Sequence, residues 1–210
     1  MPGLIHGLEA ERIRANLERV RERVSPDVEI LAATKYVPLE EMGTLAEAGI
    51  ELVGENRLQD LEAKRERYPD AFTWDFIGNV QSRKVKSILP LVRLIHSIAS
   101  DSALEQLGKH GDETTEVLVE VNVAGEESKG GLAPEELGAF IERCPVRVAG
   151  VMTMPPFSTD PEDSRPVFAR LADLAAEHDL PRLSMGTSQD WEVAVEEGAT
   201  IIRLGTELYA

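Results

Sequence analysis

Cysteine is almost missing from this chain: Cys144 is the only one among 210 residues. A lone thiol excludes a disulfide within the chain and a cysteine metal cluster. In IERCPVRV, where a helix gives way to a strand, it reads as a buried structural thiol. Histidine is scarce as well, and His6, His96, His110 and His178 form no H-x-x-x-H pair, so no metal signature is present. Positive charge is in short supply, with 22 Lys and Arg against 38 Asp and Glu for a formal net charge of −16. Nucleic acid and anionic membranes are bound by clustered cations, so neither is an expected partner. A small anionic ligand remains compatible, because a local pocket can oppose the global sign. No apolar run is long enough to span a bilayer, and MPGLIHGLEAERIRANL turns charged at once, unlike a secretory leader. A cytoplasmic protein is the expectation.

What is present is alternation. Ile13, Leu17, Val20 and Val24 recur at helical spacing and predict an opening amphipathic helix. Eight strand-like runs follow, at 28–34, 50–56, 73–78, 92–98, 115–123, 146–154, 182–186 and 200–206, with helical segments between them. One of these helices is expected over VQSRKVKSIL. Strict alternation implies right-handed βαβ units and a parallel sheet. Eight units are the count that closes a (β/α)8 TIM barrel, for which about 200 residues is the lower end of the size range. An open doubly wound sheet is the competing architecture, but its G-x-G-x-x-G fingerprint is absent after the first strand. No linker or composition break divides the chain, so residues 1–210 read as a single α/β barrel domain with an extra N-terminal helix.

Active sites of such barrels form at the C-terminal ends of the strands. That rule collects Lys35, Glu55, Asn56, Gly78, Asn79, His96, Ser97 and Asn122 with the loop AGEESKGGL, then Met152, Thr153 and Met154, SMGTSQD, and finally Arg203, Gly205 and Thr206. SMGTSQDWEVAVEEG passes through Gly186 into a helix that Thr187 or Ser188 would cap, and a helix start favours an anion. Gly205 and Thr206 follow the last strand, and phosphate sites in these barrels often use the loops after strands seven and eight. A strand-end lysine beside a phosphate site points to two chemistries. One is a cofactor-free Schiff base with a phosphorylated sugar, as in an aldolase; the other is a Schiff base with pyridoxal 5′-phosphate (PLP). Both need Lys35 as a free amine part of the time, which desolvation at the mouth would favour. Arg203 is either a salt-bridge partner within the barrel or the partner of a pyridine nitrogen. An arginine in that second role leaves the ring neutral, since guanidinium keeps its proton.

At LAATKYVP, GENRLQD, WDFIGNVQSRK, HSIAS, VEVNVAGEESKGGL, GVMTM and LSMGTSQDWEVAVEEGATIIRLGTELY the chain resembles the YggS/PROSC family of PLP homeostasis proteins, over about residues 5 to 209. These look like the barrel domain of alanine racemase standing alone. The resemblance implies a type III PLP fold with Lys35 as the Schiff-base lysine and Asn56 lining the ring. It implies Ser184, Gly186, Ser188, Gly205 and Thr206 in the phosphate region, Arg203 at the pyridine nitrogen, and a place for Lys129 near the mouth. From residues alone Lys129 reads as a solvated loop lysine. Thr187 stands where the family usually has Met, Arg83 where it has Asn, and the chain reads Leu208-Tyr209-Ala210 where the family usually has Phe-Gly and a tail.

The resemblance further implies a protein that buffers or delivers PLP, as a monomer, with PLP-dependent apoenzymes as possible recipients. Alanine racemase uses two bases, the second being a tyrosine from another domain of the partner subunit. No obvious substitute for that tyrosine is legible here, so negligible racemization is expected. The alternative is a racemase or other small PLP enzyme, with Lys129 as the second base.

Overall fold

A computed structural model describes residues 3–126 and 129–210; Glu127 and Ser128, in the loop AGEESKGGL, lie outside the described residues. The chain opens with α1 (Ala10–Arg21), which buries Ile13, Leu17 and Val20, while Val24 falls just past its end. There follow β1 (Glu29–Ala33), α2 (Met42–Glu47), β2 (Leu52–Glu55), α3 (Leu58–Arg67), β3 (Thr73–Phe76), α4 (Val85–Ile88), β4 (Leu94–Ile98) and α5 (Asp101–His110). The second half holds β5 (Glu116–Glu120), α6 (Leu137–Arg143), β6 (Arg147–Met152), α7 (Arg165–Glu177), β7 (Arg182–Thr187), α8 (Trp191–Glu196), β8 (Ile201–Leu204) and α9 (Thr206–Tyr209).

The strands pair in chain order, and β8 returns to β1 in parallel, closing an eight-stranded barrel. Their apolar runs are nearly continuous because parallel strands covered by helices are buried on both faces. Successive side chains then divide between two cores. Leu31, Leu94, Leu118, Ala149 and Ile201 fill the barrel interior. Ala32, Val53, Trp74, Ile95 and Ile202 face the surrounding helices. At the N-terminal rim the interior is polar, where Arg93, Arg147 and Arg182 pair with Glu29 and Glu116.

One expectation is corrected. VQSRKVKSIL is not one helix: a 3-10 turn at Ser82–Lys84 leads into α4, and a second at Leu89–Leu91 follows it. Pro90 lacks the N–H that a longer α-helix would use. Past the last strand, α9 adds one helical turn. That turn is too short to cover its side of the barrel. α1 packs against both α9 and α2 outside the β8–β1 seam and supplies the cover. Asn16 Nδ2 ties the two ends together by donating to the carbonyls of Leu208 and Ala210, each at 3.0 Å.

Cys144 is half-buried, and burial pushes its thiol pKa up, away from nucleophile chemistry. Among the described residues no cluster of His, Cys, Asp and Glu could hold a metal, and no helix is long and apolar enough to cross a membrane.

Candidate functional site

The turns at the C-terminal ends of the strands enclose a cavity of about 460 Å³, lined by Lys35, Asn56, Ser188, Arg203, Gly205 and Thr206 among others. A hollow of about 510 Å³ lies at the opposite end, between α1 and the starts of β1 and β2. Its position is the end of a barrel where side chains serve stability rather than chemistry.

Lys35 sits two residues past β1 in a turn closed by Val37 N–H donating to the Thr34 carbonyl at 2.8 Å. It is exposed, contrary to the expected desolvation, and its Nζ lies 5.0 Å from the centre of the Tyr36 ring. The turn beneath it is held from the interior. Lys64 of α3 is 5% exposed, pairs with fully buried Glu55, and donates to the Thr34 carbonyl at 2.8 Å. Thr34 Oγ1 donates to Glu55 at 2.7 Å, and Asn56 N–H donates to the same carboxylate at 3.2 Å. Lys35 and Asn56 are therefore placed by one buried cluster. Asn56 Oδ1 is buried yet has no hydrogen-bond partner among the described residues. A buried polar atom left alone is costly, so an acceptor facing a cavity marks a place for a donor on a ligand. Behind Asn56 stands Gly78, where a Cβ would lie 2.1 Å from the Asn56 carbonyl oxygen.

Arg203 of β8 points inward and is 6% exposed. It donates to Ser184 Oγ, and through Nη2 to the Thr153 carbonyl at 3.0 Å and to Met154 Sδ at 2.9 Å. Among the described residues no carboxylate lies within ion-pair distance of it, which argues against a barrel salt bridge as its role. Burial brings its pKa down to about 10, against the opposing pull of Asp190 and Glu120. Burial in turn raises the Glu120 carboxyl, with Arg203 acting against it. Nε–H and the second hydrogen of Nη1 donate to nothing among the described residues. Tyr209 of α9 closes the floor nearby, its hydroxyl donating to the Ala33 carbonyl at 3.2 Å, and burial and then Glu55 push its pKa up.

The loops after β7 and β8 are joined by Ser188. Its Oγ accepts from the N–H groups of Gly205 at 3.0 Å and Glu207 at 3.2 Å. Ser188 thus caps α9 and not α8, which corrects the expected cap. Thr187 does not cap α8 either: its N–H and Oγ1 both donate to Asp190, at 2.7 and 3.0 Å. Gly186 and Ser184, expected in the phosphate region, do not line the cavity. Gly186 has φ +89, and a Cβ there would lie 2.6 Å from that of Ala194, so glycine lets α8 lie against β7. Ser184 is fully buried inside the barrel between Arg203 and His96.

The residues matched by the family model described as alanine racemase, N-terminal domain, are 8–210. A pyridoxal phosphate homeostasis protein of Aquifex aeolicus is 41% identical over 219 residues, covering 95% of this chain and 96% of that protein. The chain belongs to the pyridoxal phosphate homeostasis protein family. The family protein of Pseudomonas aeruginosa is 34% identical over 95% of this chain and 94% of its own length. PipY of Synechococcus elongatus, solved with PLP bound, matches at TM-score 0.84 and 30% identity, over 94% of this chain and all of that one. Alanine racemase of Clostridium difficile matches at TM-score 0.73 and 13% identity over 57% of its chain, which shows the shared barrel alone.

Against the family pattern, Arg83 is exposed, donates to Gln81 and does not line the cavity, so this departure lies outside the site. Lys129 is not a freely solvated lysine: Nζ donates to the carbonyls of Met154 at 3.2 Å and Pro155 at 2.6 Å, and pairs with Glu126. Asn122 organises the start of the same loop through Glu126, and Asn79 is exposed away from the cavity. Lys64 and Asp75 were not among the sequence candidates. Lys64 carried a signal nonetheless, since with Leu58 and Leu61 it completes the apolar stripe of α3. Asp75 carried another, as a charge inside the run TWDF.

Proposed function

We propose that this chain binds PLP in the cavity at the barrel mouth and holds it in reserve for other proteins rather than turning over a substrate. Buried Arg203 carries this reading: among the described residues it has no carboxylate partner and keeps two N–H groups free, and it lines the same cavity as Lys35 and Asn56, whose Oδ1 has no partner among them either. PLP, when bound, supplies an aldehyde that condenses with a primary amine, losing water, and a pyridine ring that can draw electrons. Lys35 is the amine within reach of the cavity and would be the covalent anchor. Arg203 would donate to the ring nitrogen, and because guanidinium keeps its proton the nitrogen stays unprotonated. Asn56 would line the ring. Ser188, Gly205 and Thr206 form the rim of the cavity that would take the phosphate. The family membership and the PLP bound to PipY support the choice of ligand.

A carrier fits the mouth better than a racemase. Tyr36 stacks beside Lys35, so it offers no base on an opposite face. Lys129, the candidate second base, spends its ammonium on two carbonyls and Glu126. An open mouth also admits water, which weakens electrostatic catalysis.

Absorption spectra of the wild type and Lys35→Ala, with and without added PLP, test the reading. The expected result is a visible band in the wild type that borohydride removes and the variant lacks, with no conversion of L- to D-alanine by either. No band with excess PLP would return Lys35 to a cofactor-free amine of aldolase type. Sustained racemization abolished by Lys35→Ala would make the protein an enzyme.

A further inference from the structure

Behind Arg203 the barrel interior holds a file of polar groups that the cavity lining does not explain. Arg203 Nη1 donates to Ser184 Oγ on β7, which lies 2.9 Å from His96 Nδ1 on β4. His96 Nε2 lies 3.0 Å from Asp75 Oδ2 on β3, and Arg93 donates to Asp75 at 2.7 and 3.1 Å from the far rim. His96, Asp75 and Ser184 have no solvent exposure. The His96–Ser184 contact crosses the interior, joining the β3–β4 wall to the β7–β8 wall.

Hydrogen counting gives this file one direction. Arginine only donates, so Ser184 Oγ accepts from it and has a single hydrogen left to place. A neutral His96 takes that hydrogen at Nδ1 and donates Nε2–H to Asp75, and Ser184 and His96 are both satisfied. A charged imidazolium would donate at both nitrogens, strand the Ser184 hydrogen, and put a second cation beside Arg203. Burial, followed by Arg203 and Arg93, also favours the neutral ring over the pull of Asp75. Donation therefore runs Arg203 to Ser184 to His96 to Asp75.

We propose that His96 is a positioning residue for Arg203: Asp75 orients the His96 ring, His96 takes the hydrogen of Ser184, and the hydroxyl so turned presents its lone pair to Arg203 and keeps the guanidinium aimed into the cavity. The proposal rests on the reading above, in which Arg203 meets the ring nitrogen of PLP. Without His96 the hydroxyl rotates freely, its hydrogen competes for the guanidinium's side, and the aim is lost.

The test is a double-mutant cycle on PLP affinity, read from the visible band, with His96→Phe, Ser184→Ala, Arg203→Leu and their pairs. Each single substitution is expected to weaken binding about tenfold, the size of one lost hydrogen bond to a charged group. His96→Phe should add less than about twofold in either the Ser184→Ala or the Arg203→Leu background, the usual limit of independent behaviour. PLP labelled with 15N at the ring nitrogen gives a second readout, since its signal should shift in all three single variants alike. Unchanged affinity in His96→Phe, or fully additive effects, would overturn the proposal while leaving PLP binding intact. No band in the wild type, or no effect of Arg203→Leu, would instead overturn the reading on which it rests. Melting curves without PLP report folding. Should His96→Phe not fold, Ser184→Ala and His96→Gln decide: wild-type affinity in Ser184→Ala overturns the proposal, and weakened affinity there with recovery in His96→Gln supports it.

Discussion

Lys64 and Glu55 show how far one residue pair governs the mouth. A buried ion pair is weak evidence of stability, but removing one partner leaves an uncompensated charge. Lys64→Met should therefore lower the unfolding free energy by about 3–5 kcal/mol, seen as a lower urea midpoint at unchanged m. Adding Glu55→Leu should restore most of it, because replacing both partners by apolar groups is nearly neutral. His96 supplies a pH signature at the same scale. Its folded-state pKa is lowered by burial, so below about 6.5 the unfolded chain takes up a proton that the folded chain refuses. Stability from this group is then full above that pH and falls as pH drops below it. Asp75, whose carboxyl is held low by His96 and Arg93 despite burial, extends the loss below its ordinary range near pH 4. Melting temperatures between pH 5 and pH 7.5, a window around the ordinary histidine value, should slope upward in the wild type and flatten in His96→Phe.

Elements matter here through their ends. β7 runs into α8 at Gly186, where a left-handed backbone and close approach to Ala194 coincide. Gly186→Ala should cost about 1–3 kcal/mol from backbone strain, with more from displaced packing. Because the Thr187–Asp190 turn and Ser188 lie just downstream, the variant should also bind PLP more weakly. A thermal melt and a PLP titration on one preparation check both. A variant that melts like the wild type would mean α8 can shift freely. α1 and α9 illustrate the other route. Helical spacing in the sequence reveals α1, but only its packing shows that it serves as the cover of the β8–β1 seam.

For the whole molecule, a ligand that binds only the folded barrel stabilises it by mass action. PLP at about one hundred times its dissociation constant should add about 2.7 kcal/mol, raising the melting temperature of the wild type and raising that of Lys35→Ala much less. Equal shifts in both would remove Lys35 from binding. The closed barrel was legible before any coordinates, since eight strand-like runs and intervening helices admit few other arrangements. Strand-end placement likewise brought Lys35, Asn56, Arg203, Gly205 and Thr206 together correctly, because parallel strands of a barrel all deliver their C-terminal ends to one mouth. Ser184 and Gly186 do not line the cavity at that mouth, because one residue along a strand changes which face a side chain takes, and β7 meets β8 through a register shift. Periodicity, chain order and residue type thus determined the fold, the mouth and the lysine at it. The buried files Lys64–Glu55–Thr34 and Arg203–Ser184–His96–Asp75 were decided by tertiary structure alone. They join residues far apart in sequence, and only burial, which makes an unsatisfied polar group costly, forces those residues to find one another.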